Sequence, residues 1–206
     1  GFLGVDAVVT PVTSNSSIEG LGTFAKVVRT KVGSPFVIAG MAEALAGGAK
    51  TVLGFEANGG VLLGSDVGVG NGTIAALPTR DAVLPILCVL AAARQRKMTL
   101  SQLVATLPSR VARSDRLEHV PQERTAVLLD KLKDADFASA YFAEAGTVQS
   151  VSSLDGQRFV LVSGDVVHYR GSGNAPELRC YTEAATTARA DSLLAWGLKA
   201  AEKVVR

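Results

Sequence analysis

Between Val5 and Leu63 the chain switches back and forth between the period of a strand and that of a helix, and no other feature constrains its fold as much. Val5 to Val12 is a β-branched run, Lys26 to Thr30 reads as a second strand, and the triplets Thr51-Val52-Leu53 and Val61-Leu62-Leu63 are apolar. Helices are expected in the gaps. Ser16-Ser17-Ile18-Glu19 offers a capping box for a short one. Ser34 can cap a longer one whose first residue is Pro35 and which stops at Gly47-Gly48. A third is expected from about Asp81 to Gln95, and Thr99-Leu100-Ser101-Gln102 opens a fourth with another capping box. Strand-helix-strand order of this kind builds an α/β layer whose loops at the strand ends are available for ligands.

The pattern changes near Leu107-Pro108-Ser109, which divides the chain into an α/β domain over 1–107 and a smaller domain over 108–206. In the second part Arg110 to Arg116 is extended and Gln122 to Lys133 helical. Val148 to Leu154 and Phe159 to Val162 flank Asp155-Gly156, a hairpin signal. Val166 to Tyr169 and Leu178 to Tyr181 add two strands. A last helix over Ala188 to Val205 puts Leu193, Leu194, Leu198, Ala201 and Val205 on one face, with Trp196 at the edge of that stripe. The expected fold class is thus an α/β strand-helix layered domain followed by a smaller α+β domain with an antiparallel or mixed sheet.

With 206 residues and 48% hydrophobic content the chain can bury a sizeable core. Its 21 basic and 19 acidic residues are spread along it without a basic block, which disfavours nucleic acid and anionic membrane as partners. No apolar run approaches the length of a membrane span and no leader is visible, so a cytoplasmic protein is expected. Cys88 lies in an apolar helical run and Cys180 in a strand, where both read as small buried hydrophobes. Together with His119 and His168 they show no metal-ligand spacing, so no metal of the chain's own is expected.

Three glycine-rich stretches could carry chemistry. In Gly54-Phe55-Glu56-Ala57-Asn58-Gly59-Gly60 a carboxylate and an amide precede two glycines that allow close backbone approach, a grip suited to vicinal sugar hydroxyls. In Arg170-Gly171-Ser172-Gly173-Asn174-Ala175-Pro176 a guanidinium, a hydroxyl and small residues with convergent N–H groups supply what a phosphate dianion needs, and Pro176 stiffens the exit. An ordinary Gly-rich hairpin would look the same in isolation. The third stretch, Gly68-Val69-Gly70-Asn71-Gly72, lacks the direct strand-to-helix junction of a dinucleotide fingerprint and reads as a mobile surface loop.

The first two stretches, in that order, resemble the α-D-phosphohexomutase superfamily, whose third domain carries G-E-x-S/N-G-G/H and whose fourth carries R-x-S-G-T-x-P. Asp6 to Asn15 and Val32-Gly33-Ser34-Pro35-Phe36-Val37-Ile38 also look like the family, so the resemblance spans essentially the whole chain. The family's phosphoserine loop (T-A-S-H-N-P) and metal loop (D-G-D-x-D-R) have no counterpart here, and the chain begins at Gly1 without methionine. A carboxyl-terminal half is therefore expected, with its amino-terminal mutase domains as missing partners.

The resemblance implies an intramolecular phosphotransferase that turns over mannose or glucose 1-phosphate and 6-phosphate, with magnesium in the full-length enzyme and no cofactor in this chain. The Glu-Ala-Asn-Gly-Gly loop looks most like the phosphomannomutase branch. Carried over by motif, Glu56, Asn58, Gly59 and Ser34 face the sugar, while Arg170, Ser172, Gly173, Asn174 and Arg179 hold the non-reacting phosphate. No catalytic residue is implied, so the chain alone is expected to be inactive. The alternatives are a non-catalytic sugar-phosphate-binding protein and an unrelated nucleotide-binding α/β protein that uses Gly64 to Gly72.

Overall fold

A computed structural model describes residues 3–108 and 110–206, so Gly1 and Ser109, both named above, lie outside the described residues. The chain divides into two compact units, Gly1–Pro108 and Ser109–Arg206.

The first unit runs β1 (Ala7–Pro11), α1 (Ser17–Gly20), β2 (Lys26–Thr30), α2 (Ser34–Ala46), β3 (Val52–Phe55), β4 (Val61–Leu63), β5 (Val67–Val69), β6 (Gly72–Ile74), β7 (Leu77–Asp81), α3 (Val83–Gln95) and α4 (Leu100–Ala105). Its main sheet has the order β2-β1-β3-β4-β7. Strand β1 is parallel to β2 and β3, and the turn back through β4 and β7 is antiparallel. All five residues of β1 are buried, as a β-branched strand flanked by parallel neighbours should be. Helix α2 covers one face, packing Val37, Met41 and Ala44 on Val9, Val52 and Leu62.

The local chemistry departs from expectation in five places. Ser16 does not cap α1 with its side chain; the Asn15 side-chain oxygen instead accepts from the Ser17 amide at 2.9 Å. The N-cap of α2 is Gly33, at φ 131°, so Ser34 lies inside the first turn and makes no cap hydrogen bond. Gly68 to Gly72 is no loose loop: β5 and β6 pair across it as a hairpin. The third helix starts only at Val83, because Asp81 ends β7 and its carboxylate accepts from the amides of Val83 and Leu84. The capping box at Thr99 and Gln102 forms as expected. On α3 the apolar residues Val83, Ile86, Leu87, Val89 and Leu90 are exposed and Cys88 is half-buried, so only Cys180 of the two cysteines is a core residue.

The second unit runs β8 (Val111–Glu118), α5 (Gln122–Lys131), α6 (Ala135–Tyr141), β9 (Val148–Ser152), β10 (Gln157–Leu161), β11 (Val166–Gly171), β12 (Glu177–Ala184) and α7 (Thr187–Val205). Its sheet, in the order β8-β12-β11-β10-β9, is antiparallel throughout. Phe159, Tyr169, Leu178 and Cys180 point from the strands into one core with Leu128, Phe142 and Leu193 from the helical segments. The α7 stripe packs there as its period demands, and Trp196 meets Tyr141 and Phe142 with ring centroids 5.8 and 5.3 Å apart. Among the described residues no helix is long and apolar enough to cross a membrane.

Candidate functional site

In the first unit the polar residues gather where the parallel strands end, the usual ligand edge of such sheets. Thr10, at the end of β1, is buried and hydrogen-bonds Phe55 O at 2.9 Å, directly before Glu56. Glu56 follows β3 and is buried, with its amide donating to Gly60 O at 2.9 Å. Gly59, at φ 90°, closes this tight loop by donating to Glu56 O.

The Glu56 carboxylate accepts from the Ser34 hydroxyl at 2.8 Å, so the serine that local sequence marks as a cap is instead a partner of the acid. Arg80 of β7 brings its Nε to 3.9 Å from the same carboxylate while its side chain lies across Gly60. Arg80 joins this candidate site without having been singled out in the sequence. The Asn58 side chain is turned inward, accepting from the Gly60 amide at 2.9 Å, and in this state shapes the loop. Beside the loop opens a cavity of about 830 Å³ bounded by Asn58, Gly60 and Arg80 and by Ile86 and Leu90 of α3.

In the second unit Arg170 is the last residue but one of β11, and the turn beyond the strand is built by main-chain bonds: the Ser172 amide donates to Glu177 O at 3.0 Å, and the Glu177 amide to Ala175 O at 2.8 Å. Ser172 is buried, and its hydroxyl oxygen lies 3.4 Å from the Asn174 amide nitrogen. Arg170, Ser172 and Gly173 line one cavity of about 590 Å³ together with Asp155 and with Gln122 and Thr125 of α5. The Thr125 hydroxyl is buried with no hydrogen-bond partner. Sequence gave no sign of it, because only the packing of α5 against Gly171 brings it to the turn.

Arg179 stands apart. Cross-strand register sets Arg170 opposite Arg179 and Arg179 opposite Arg116, a row of three guanidinium-bearing positions on β11, β12 and β8. Arg179 lines a separate recess of about 310 Å³ with Ser114, Arg116 and Tyr181, and hydrogen bonding to Tyr181 holds its guanidinium above its ordinary pKa. Glu177 lies between Arg116 and Arg179, at 3.3 and 3.4 Å, and offsets part of their mutual repulsion. The structure thus brings Ser34 to Glu56 and sets Ser172 and Gly173 beside Arg170 in one cavity, with Asn174 tied to Ser172 and not lining that cavity, while Arg179 lies on the next strand outside it. Among the described residues no three histidine, cysteine or acidic side chains gather to hold a metal ion.

Comparison with known proteins gives the arrangement its context. The family described as phosphoglucomutase/phosphomannomutase, alpha/beta/alpha domain III, matches residues 2–111. A phosphomannomutase of Sinorhizobium fredii is 48% identical over 192 residues, 93% of this chain and 40% of the relative. Another, of Salmonella muenchen, is 41% identical over 184 residues, 88% of this chain and 38% of the relative. The chain therefore spans about two fifths of the length of these relatives.

Among solved structures, a phosphoglucomutase/phosphomannomutase family protein of Burkholderia thailandensis shares the fold with a TM-score of 0.67 at 20% identity, over 98% of this chain and 39% of its own. The N-acetylphosphoglucosamine mutase of Aspergillus fumigatus, solved in complex with GlcNAc-6P and magnesium, does so at 0.63 and 15%, over 98% and 40%. The mixed α/β layer followed by an antiparallel sheet is the architecture these structures share with it, and with residues 2–111 matching its third-domain model the chain belongs to the phosphoglucomutase/phosphomannomutase family.

Proposed function

We propose that the chain is the sugar-phosphate-binding portion of a phosphomannomutase, with an anion clamp in the second unit and a sugar grip in the first. The observation that carries this reading is the shared cavity of Arg170, Ser172 and Gly173, where a guanidinium, a buried hydroxyl and an unobstructed glycine meet. A dianion there accepts from the Arg170 Nη groups and from the turn's N–H and O–H donors, Asn174 included. Glu56, held by Ser34, accepts from sugar hydroxyls beside Gly59, and Asn58 turns outward to join it.

Arg179, opposite Arg170 on the next strand, adds positive charge to the phosphate site. A non-catalytic binding protein would use the same two sites; the phosphomannomutase relatives, 48% and 41% identical, favour the enzyme. The sequence has no match to the phosphoserine and metal loops that the family resemblance implies, so on this reading phosphoryl transfer, and the magnesium it needs, belong to polypeptide outside this chain. Residues 109–206 then form the last mutase domain, and the protein works in the cytoplasm on mannose or glucose 1- and 6-phosphates.

One set of titrations tests this. Arg170→Ala should weaken inorganic phosphate binding about 10- to 150-fold, the range set by losing a charge-assisted hydrogen bond. Glu56→Gln should leave phosphate binding unchanged and weaken hexose 6-phosphate binding about 2- to 10-fold, as one neutral-scale hydrogen bond allows. The unmodified chain should bind the sugar phosphate without converting it. Unchanged phosphate affinity in folded Arg170→Ala would remove the clamp, and conversion by this chain alone would show chemistry in residues assigned here to binding.

A further inference from the structure

The Arg170 side chain is not left to find its own orientation. Its Nε donates to Asp155 Oδ2 at 2.9 Å, and the two side chains are only 17% and 19% exposed. Asp155 comes from residues 153–156, the connection between β9 and β10, which folds back over β11 so closely that a Cβ on Gly156 would stand 3.0 Å from the Arg170 Cα. The main chain of Asp155 is pinned as well, since its carbonyl oxygen lies 2.6 Å from His168 Nε2. Burial holds His168 neutral, with its pKa pushed down to about 4, and because a carbonyl oxygen only accepts, the single ring proton sits on Nε2 as the donor. The ring is further fixed by stacking on Tyr181 at 5.5 Å between centroids.

We propose that Asp155 is a positioning residue for anion binding: it takes the Nε donor of Arg170 and thereby aims the two Nη groups into the cavity they share with Ser172 and Gly173. The inference rests on the reading of Arg170 as the anion clamp. An arginine side chain carries about 2 kcal/mol of rotamer entropy, and ordering it before the ligand arrives removes that cost from binding.

The sign of the effect makes the role testable. A carboxylate beside an anion site repels the anion, so if Asp155 were only a nearby charge its removal would tighten binding. As a positioning residue it must do the reverse. Asp155→Ala should weaken inorganic phosphate binding about 5-fold or more, the scale of coupling within one hydrogen-bond network. Asp155→Asn retains an acceptor oxygen of the same shape and should lose about 2- to 5-fold, since a neutral acceptor makes the weaker bond.

In an Arg170→Ala background, Asp155→Ala should not weaken phosphate affinity, because no guanidinium remains to be aimed and losing the carboxylate only removes repulsion. A purely structural role would weaken binding equally in both backgrounds. Wild-type or tighter affinity in either folded Asp155 variant overturns the proposal, as does an equal loss in both backgrounds. If Arg170→Ala itself binds phosphate normally, the clamp reading fails and this proposal with it; if Arg170→Ala is impaired and the Asp155 variants are not, only the positioning role fails.

Discussion

Alanine in place of Gly156 is expected to destabilise the second unit by about 2–5 kcal/mol, and the reason lies in two independent costs. Gly156 sits at φ 80°, in the left-handed region that an L side chain enters only with about 1–2 kcal/mol of strain. Its Cβ would also stand 2.1 Å from the carbonyl oxygen of Tyr169, a main-chain atom held in the β11 ladder that cannot step aside. Forcing the connection away from β11 adds an overpacking cost of about 1–3 kcal/mol. In a unit of this size each kcal/mol moves the unfolding midpoint by about 4–8 °C, so a fall of roughly 10 °C or more should be seen by thermal denaturation. The same shift withdraws Asp155 from Arg170, so phosphate affinity should drop along with stability. A midpoint within about 2 °C of wild type, on that scale, would mean that the connection relaxes without touching β11.

The parts of this molecule that could be read from sequence are those whose causes are local. Lys26–Thr30 is a strand with the expected bounds, and the Thr99 capping box forms, because each depends on a few consecutive residues. Ser34 shows where such reading stops: as a serine before a proline it looks like a cap, yet its partner is Glu56, brought to it only by the crossover from β2 to β3. Strand β7 escaped notice because Pro78 and Arg80 spoil its pattern, and it tolerates them as the edge of its sheet. Helix α6 is seven residues capped by Asp134, too short for a periodic signal.

The candidate site divides the same way. Glu56, Arg170 and Ser172 were legible as residues of motifs. Arg80, Thr125 and Asp155 were not, since each reaches its site from another strand, helix or turn. Asp155-Gly156 was recognisable as a turn, but its four-residue connection and its fold over β11 follow from tertiary contact.

His168 should make the stability of the second unit depend on pH in a window set by its burial. The ring is nearly inaccessible and its Nδ1 has no hydrogen-bond partner, and this burial outweighs the Asp155 carbonyl and carboxylate, which favour the proton more than Arg158 and Arg170 oppose it. Tyr181 stacks on it without supplying charge compensation. Desolvation is the leading cause that lowers its pKa from 6.5 to about 4. Between those values the unfolded chain binds the proton that the folded chain refuses, so stability rises with pH across the window. It is fully present above about pH 6.5 and is lost as the pH falls through about 4. At about 1.4 kcal/mol per pH unit the loss approaches about 3 kcal/mol. Denaturant titrations at pH 7, 5.5 and 4 would measure it, with His168→Gln as the reference that retains a donor for Asp155 O but cannot titrate. Carboxylates elsewhere titrate in both proteins, so the difference between the two curves isolates the imidazole. Parallel curves across the window would show that His168 accepts its proton in the folded state, and that the connection it pins to β11 opens readily enough to let water in.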